Sequence, residues 1–315
     1  MKKRMALIKW IWASVIAAMI VTPLHVQAEE STLRVMSYNI HRGGVVMLKQ
    51  PLSQTAKAIQ LAKADIVGIQ ETRSPRGDKL EELAKLLGWN HDMGKGSKIL
   101  TRYEILDSLY SGVKVKLDSG KHAYVFNVHL SSHPYQPYQL LEIRPRWHKH
   151  TNNITFIKTE PEAIEWAKKA RGAEIGKVLR QVKSISEKQA PVFVVGDFNE
   201  PSHLDWTARA VKAGRHPIKV EYPNSLAMIQ AGFADAYRTI YPDEMEKPGY
   251  TWSSFYKFDD PTSHHDRIDF VYFKGKGIKP NEVKIVGENQ KDADIVISPY
   301  PSDHRAVVAD FKLTK

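Results

Sequence analysis

Cysteine is absent from this chain. That excludes disulfides, thiolate–zinc sites and thiol nucleophiles, and it makes an exported life independent of redox compartment. Also missing are an internal repeat at solenoid period, a linker that would split the chain, and a dense run of Lys or Arg. What remains is ordinary globular material. Of 315 residues, 42% are hydrophobic and 26% charged, with seven Trp and thirteen Tyr to fill a core.

The first 28 residues stand apart. Lys2, Lys3 and Arg4 open a basic start, Trp10 to Val21 is apolar except for Ser14, and Val26-Gln27-Ala28 resembles a small-residue cleavage site. The apolar run is short for a span of about 20 residues. It predicts a cleavable secretory signal peptide, a secreted or periplasmic protein, and a mature domain over 29–315 with no transmembrane span. Setting aside the four cations of that segment lowers the formal charge from +11 to +7. A modest positive balance favours anionic partners without specifying one.

The mature chain begins with a strand near Leu33 to Ile40, then a helix over Ser53 to Ala64 with Ser53 as N-cap. A buried strand from Ile66 to Glu71 and an amphipathic helix from Asp78 to Leu87 follow, the latter closed by Gly88. This order implies a layered α/β arrangement. Short strands come next, at Lys98–Thr101, Gly112–Leu117 and Ala123–Leu130. Ser131 to Lys158 has no period and is rich in Pro, Tyr, His and Arg, so it reads as a long functional loop. A capping box at Thr159 and Glu162 starts a helix expected to reach Lys188, weakened at Gly172 and Gly176. Beyond the strand at Pro191–Val195, helices are expected at Ser202–Ala213 and Leu226–Gly232, and strands at Ile268–Phe273, Val283–Val286, Ile295–Ile297 and Ala306–Phe311.

Polar residues gather where these apolar runs stop. They are Asn39, Glu71, His129, Asp197 with Asn199, Asp269, and Asp303 with His304. Taken alone, Gly196-Asp197-Phe198-Asn199 reads equally well as a β-turn. The set is what carries meaning. Carboxylates offer hard oxygen ligands for Mg²⁺, Mn²⁺ or Ca²⁺. Two histidines suit charge stabilisation and proton transfer.

The ordered series Ser37-Tyr38-Asn39, Gln70-Glu71-Thr72, Asn127-Val128-His129-Leu130, Gly196-Asp197-Phe198-Asn199, Arg267-Ile268-Asp269-Phe270 and Ser302-Asp303-His304-Arg305 resembles the endonuclease/exonuclease/phosphatase superfamily. The resemblance implies a four-layer α/β sandwich, with two central mixed β-sheets flanked by helices. It also implies a phosphoester hydrolase using one or two divalent ions. Glu71 would ligate metal with Asn39 and Asp303 beside it. Asp197 would orient or deprotonate the attacking water, with Asn199 on the phosphate. Asp269 would position His304, and His129 would stabilise the transition state. Asp266 competes with Asp269 for its role.

Substrate is less legible. The insertion from Ser131 to Arg171 carries His133, Tyr135, Tyr138, Arg144, Arg146, Trp147, His148 and His150. Arg144, Arg146, Tyr135 and Tyr138 are its candidate substrate contacts, if the insertion is a lid rather than a packed appendage. The expected activity is that of a nuclease-like phosphodiesterase on nucleic acid. A small-molecule or lipid-headgroup phosphodiesterase remains as alternative, although no exposed apolar membrane loop stands out. A non-catalytic binding protein on the same fold is the remote one. No obligate protein partner is evident, and a monomer is expected.

Overall fold

The computed structural model describes residues 31–45, 49–94, 98–145, 154–187 and 189–313. The expected signal peptide lies outside them. Among them, no helix is long and apolar enough to cross a membrane.

Strands β1 (Ser31–Asn39), β2 (Ile66–Gln70), β3 (Arg73–Ser74), β4 (Gly77–Asp78), β5 (Asn90–Asp92), β6 (Ile99–Thr101), β7 (Glu104–Ser108) and β8 (Gly112–Lys116) fill the first third. They are followed by β9 (His122–His129), β10 (Val192–Asp197), β11 (Ala234–Asp235), β12 (Asp269–Lys274), β13 (Ile278–Gly287), β14 (Ile295–Val296) and β15 (Ala306–Leu313). One sheet has the order β14-β13-β15-β1-β2-β6-β5, the other β11-β12-β10-β9-β8-β7, and β3 and β4 pair as a small hairpin. Both large sheets mix parallel and antiparallel neighbours. The inner faces meet through Leu33, Val35 and Ile66 from the first sheet and Val113, Val125, Phe193 and Val195 from the second.

The outer faces are covered by helices. α1 (Leu52–Leu61) and α2 (Leu80–Leu87) turn Leu52, Ala56, Ile59, Leu80 and Leu83 onto Met36, Val67 and Ile69. α5 (Ala173–Ser184) and α7 (Pro223–Gln230) cover the second sheet through Ile175, Val178 and Met228. The result is the expected four-layer sandwich. Between them in sequence lie α3 (Gln136–Leu140), α4 (Glu160–Ala167) and α6 (Ala208–Lys212), and α8 (Ala236–Ile240) follows.

Local expectations fail mainly at the helix ends. Ser53 does not cap α1; Pro51 holds that position with no side-chain cap. Ser202 Oγ takes the amide of Leu204, and Thr207 caps α6 through the amide of Ala210, so that helix begins at Ala208. The Thr159–Glu162 capping box forms, but a π-helical turn at Lys168–Gly172 interrupts the long helix, which resumes through Gly176 and stops at Ser184.

One contact fixes the sheets relative to each other near the site. Asn127 on β9 donates to the carbonyls of Ile69 (2.8 Å) and Lys98 (2.9 Å) and accepts from Gln70 Nε2 at 2.6 Å. This buried amide thus bridges the two sheets with its hydrogen-bonding groups paired. Gly68 permits the approach, since a Cβ there would lie 2.4 Å from Val195.

Candidate active site

Strand direction explains why the polar residues converge. β1 runs parallel to β2, and β9 parallel to β10, so Asn39, His129 and Asp197 end at one edge and Glu71 follows Gln70 there. β12 and β15 run antiparallel to their neighbours and therefore begin at that edge, bringing Asp269 and the Asp303-His304 turn. Asp197 is in register with both His129 and Asp269. Gly196 makes the close approach possible: its φ is +148°, and a Cβ would stand 2.0 Å from the carbonyl of Val128. Glu71 (φ 57°) and Asn199 (φ 48°) adopt left-handed backbone, as do His41 and Arg42 (φ 49° each). Such conformations in non-glycine residues concentrate at functional sites.

Hydrogen bonds order the cluster. Asn39 Nδ2 donates to Asp197 Oδ2 (3.0 Å) and Glu71 Oε1 (3.2 Å). The expected metal neighbour is therefore an amide that orients two carboxylates, and its own oxygen accepts the His41 amide at 3.0 Å. The Asn199 amide donates to Asp197 Oδ1 at 2.8 Å, while Asn199 Nδ2 is held by the carbonyl of Leu130 at 2.9 Å. His304 Nδ1 lies 2.9 Å from Asp269 Oδ2, and its Nε2 lies 3.7 Å from Asp197 Oδ2. His129 Nε2 sits 3.6 Å from the same oxygen and 3.9 Å from Glu71 Oε1, on a side chain 38% exposed.

Electrostatics assign the protons. Burial pushes the Asp269 carboxyl up to about 6 against the pull of His304. Burial alone would lower the His304 imidazole, but Asp269 and Asp197 overcome it and raise it well above 6.5. The pair rests as an imidazolium on a carboxylate. Asp303 would rise by burial, yet a hydrogen bond with His41 and the charge of His304 hold it below the usual range.

The carboxylates fit a hard divalent ion. Asp303 Oδ1 is buried with no hydrogen-bond partner among the described residues. Its other oxygen and Glu71 Oε2 both face His41 Nδ1, at 2.9 and 3.9 Å. Four carboxylates against one imidazolium leave a negative surplus that a cation would neutralise. Asp197, Asp269 and His304 also form a compact triad, but their contacts run through the imidazole and suit proton handling better than ligation.

The cluster floors a cavity of about 620 Å³. Tyr135 and Tyr138 line it, as their positions in the insertion suggested, but their hydroxyls are committed. Tyr135 donates to Asp266 Oδ2 (2.7 Å), and Tyr138 accepts from Trp252 Nε1 (3.2 Å). Only their rings are left to line the cavity. Asp266 is thereby removed from competition for His304. Arg144 is not brought to the cavity, because its guanidinium lies over the Phe156 ring at 4.7 Å. Arg146 lies outside the described residues.

Sequence reasoning missed several participants. His41 and Arg42 line the cavity two and three residues after Asn39, and that closeness was the available signal. Trp166, Trp252 and Phe255 supply further apolar wall. Ser302 ties the turn before β15 to the end of its neighbour β1, donating from Oγ to the Asn39 carbonyl (2.6 Å) and accepting the His304 amide (3.1 Å).

Residues 36–304 match the model of a family described as the endonuclease/exonuclease/phosphatase family. An uncharacterized protein of Caenorhabditis elegans is 29% identical, over 89% of this chain and 91% of its own length. Among solved structures, an endonuclease/exonuclease/phosphatase from Beutenbergia cavernae superposes with TM-score 0.54 at 16% identity, covering 90% of this chain and 72% of that one. The catalytic domain of human Nocturnin with bound sulfate gives 0.52 at 15% identity, covering 90% and 98%. D. rerio TDP2 complexed with single strand DNA product gives 0.50 at 18%, covering 89% and 99%.

Proposed function

Because the chain belongs to the endonuclease/exonuclease/phosphatase family, whose members are metal-dependent phosphoester hydrolases, we propose that it cleaves small or chain-terminal phosphodiesters whose organic group is aromatic or apolar. The cavity carries this reading. Its wall is Pro134, Tyr135, Tyr138, Trp166, Trp252 and Phe255, and Arg42 is its one arginine or lysine among the described residues. Internal bonds of a long polyanion call for several cationic phosphate contacts along an open groove. An aromatic wall instead suits one ring or acyl group beside one phosphate.

Glu71 and Asp303 would hold a divalent ion, which polarises the phosphoryl oxygen and offsets its charge. The other steps belong to side chains. Asp197, oriented by Asn39 and the Asn199 amide, takes the proton of the attacking water. His304 donates Nε2–H to the phosphoryl oxygen, kept charged by Asp269. His129, exposed at the rim of the cluster and 3.6 Å from Asp197 Oδ2, is placed to stabilise charge in the transition state.

TDP2 in complex with a single strand DNA product supports a second reading, in which a DNA end is the terminal phosphoester. Export is part of the proposal and rests on the N-terminal segment alone; N-terminal sequencing of protein recovered outside the cytoplasm tests it. For substrate, small aromatic diesters should turn over with weak salt dependence, while covalently closed circular DNA stays intact. Rapid nicking of the circle, falling steeply with salt, would overturn the pocket reading in favour of an endonuclease.

A further inference from the structure

Away from the cavity, two imidazoles and a carboxylate converge. His216 follows α6, and His264 and Asp266 lie in the connection before β12. His264 Nε2 is 3.3 Å from His216 Nδ1 and 3.8 Å from Asp266 Oδ1, and the three donor atoms all lie within 4.8 Å of one another. None of the three lines the catalytic cavity.

The spacing suits a common centre. A tetrahedral ion with bonds near 2.0–2.2 Å sets its ligand atoms roughly 3.3 Å apart, so only the carboxylate must close in. Asp266 is 2% exposed, and its only ion-pair partner among the described residues is His264. Its Oδ1 accepts from Trp206 Nε1 (2.9 Å) and its Oδ2 from Tyr135 (2.7 Å), which leaves each oxygen a lone pair. A buried carboxylate with two neutral donors still lacks countercharge.

Nearby arginines do not supply it. Arg267 and Arg238 are committed to Asp205 and Asp235, and Arg215 donates to the carbonyls of Glu244 and Met245. Trp206 stacks on His216 at 4.2 Å and 12°, which fixes the plane of the imidazole. The His264 side chain is 20% exposed and opens a path from solvent.

We propose that His216, His264 and Asp266 form a second metal site, separate from the catalytic carboxylates. It takes a borderline divalent ion of the zinc class, with a fourth position for water. Two imidazoles select such an ion over Mg²⁺, which prefers oxygen. The site is structural: it anchors Asp266, which in turn holds the hydroxyl of the wall residue Tyr135.

The test uses full-length protein stripped of metal and titrated with Co²⁺ in excess Mg²⁺. Wild type should bind one equivalent with the strong visible absorption of a tetrahedral site and gain thermal stability. Glu71→Gln should keep that equivalent, whereas His264→Ala and His216→Asn should each lose it by at least tenfold in affinity. If His216→Asn fails to fold, the partly exposed His264 position carries the test. Co²⁺ binding unaffected by His264→Ala, or abolished by Glu71→Gln, would overturn the site.

Discussion

The floor and the wall of the cavity are built by different rules. The floor comes from strand ends of two sheets, locked by hydrogen bonds of 2.6 to 3.2 Å between Asn39, Glu71, Asp197, Asp269, Ser302 and His304. The wall comes from the insertion and from the 249–266 connection, which pack rings against the cavity and are pinned to the body by hydrogen bonds. One pin is Arg171, buried, which donates to the carbonyls of Ser131 (2.6 Å) and Pro134 (2.7 Å) and to Gln136 Oε1 (2.7 Å). The difference teaches that chemistry and substrate choice are separable here. Floor changes should act on kcat, and wall changes on KM.

The largest effect is expected on the floor. His304→Ala and Glu71→Gln should each lower kcat by about two or more orders of magnitude with KM little changed, as steady-state kinetics would show. Equal losses in KM would erase the distinction. Next is the pin. Arg171→Met removes three hydrogen bonds from a charged donor, leaves the buried Gln136 Oε1 and the Ser131 carbonyl without theirs, and should cost about 3–5 kcal/mol of stability by denaturant titration. An unchanged midpoint would mean that the wall does not depend on it.

A smaller effect concerns pH. Burial pushes the Glu200 carboxyl, beside Asn199, from 4.5 up to about 7, against Arg171 and two hydrogen bonds from Asn224. The folded state therefore holds a proton that the unfolded state releases between those values. Stability falls as pH rises from about 4.5 through 7, by something on the order of 3 kcal/mol at most. Glu200→Gln should flatten that slope in thermal melts across the window. A wild-type profile that rises there would contradict the burial argument. Smallest is the wall itself. Trp166→Ala should raise KM for an aromatic diester several-fold, the scale of a partly buried ring, and leave kcat within about twofold.

The floor was legible in sequence because strand ends leave a mark: an apolar run that stops on a carboxylate, amide or imidazole. Alternation explained less than expected. Asn199 reaches the cavity through left-handed backbone beyond the strand, and its amide serves Leu130. His41 was hidden because a loop residue has no period to betray it. The wall was legible only as composition. Tyr135 and Tyr138 belonged to it, but nothing in their spacing foretold that Asp266 and Trp252 would engage their hydroxyls. Arg144 illustrates the limit, since a cation in a basic segment can as well lie on a neighbouring ring.

The central claim is that strand-end carboxylates and His304 hydrolyse a phosphodiester with a divalent ion. Its most direct test is turnover of bis-p-nitrophenyl phosphate by purified protein, with Mg²⁺ or Mn²⁺ and again after chelation, for wild type and His304→Ala. The account predicts turnover in wild type with metal and a loss of at least about a hundredfold on chelation or in the variant. Undiminished hydrolysis by His304→Ala, or by chelated wild type, would contradict it.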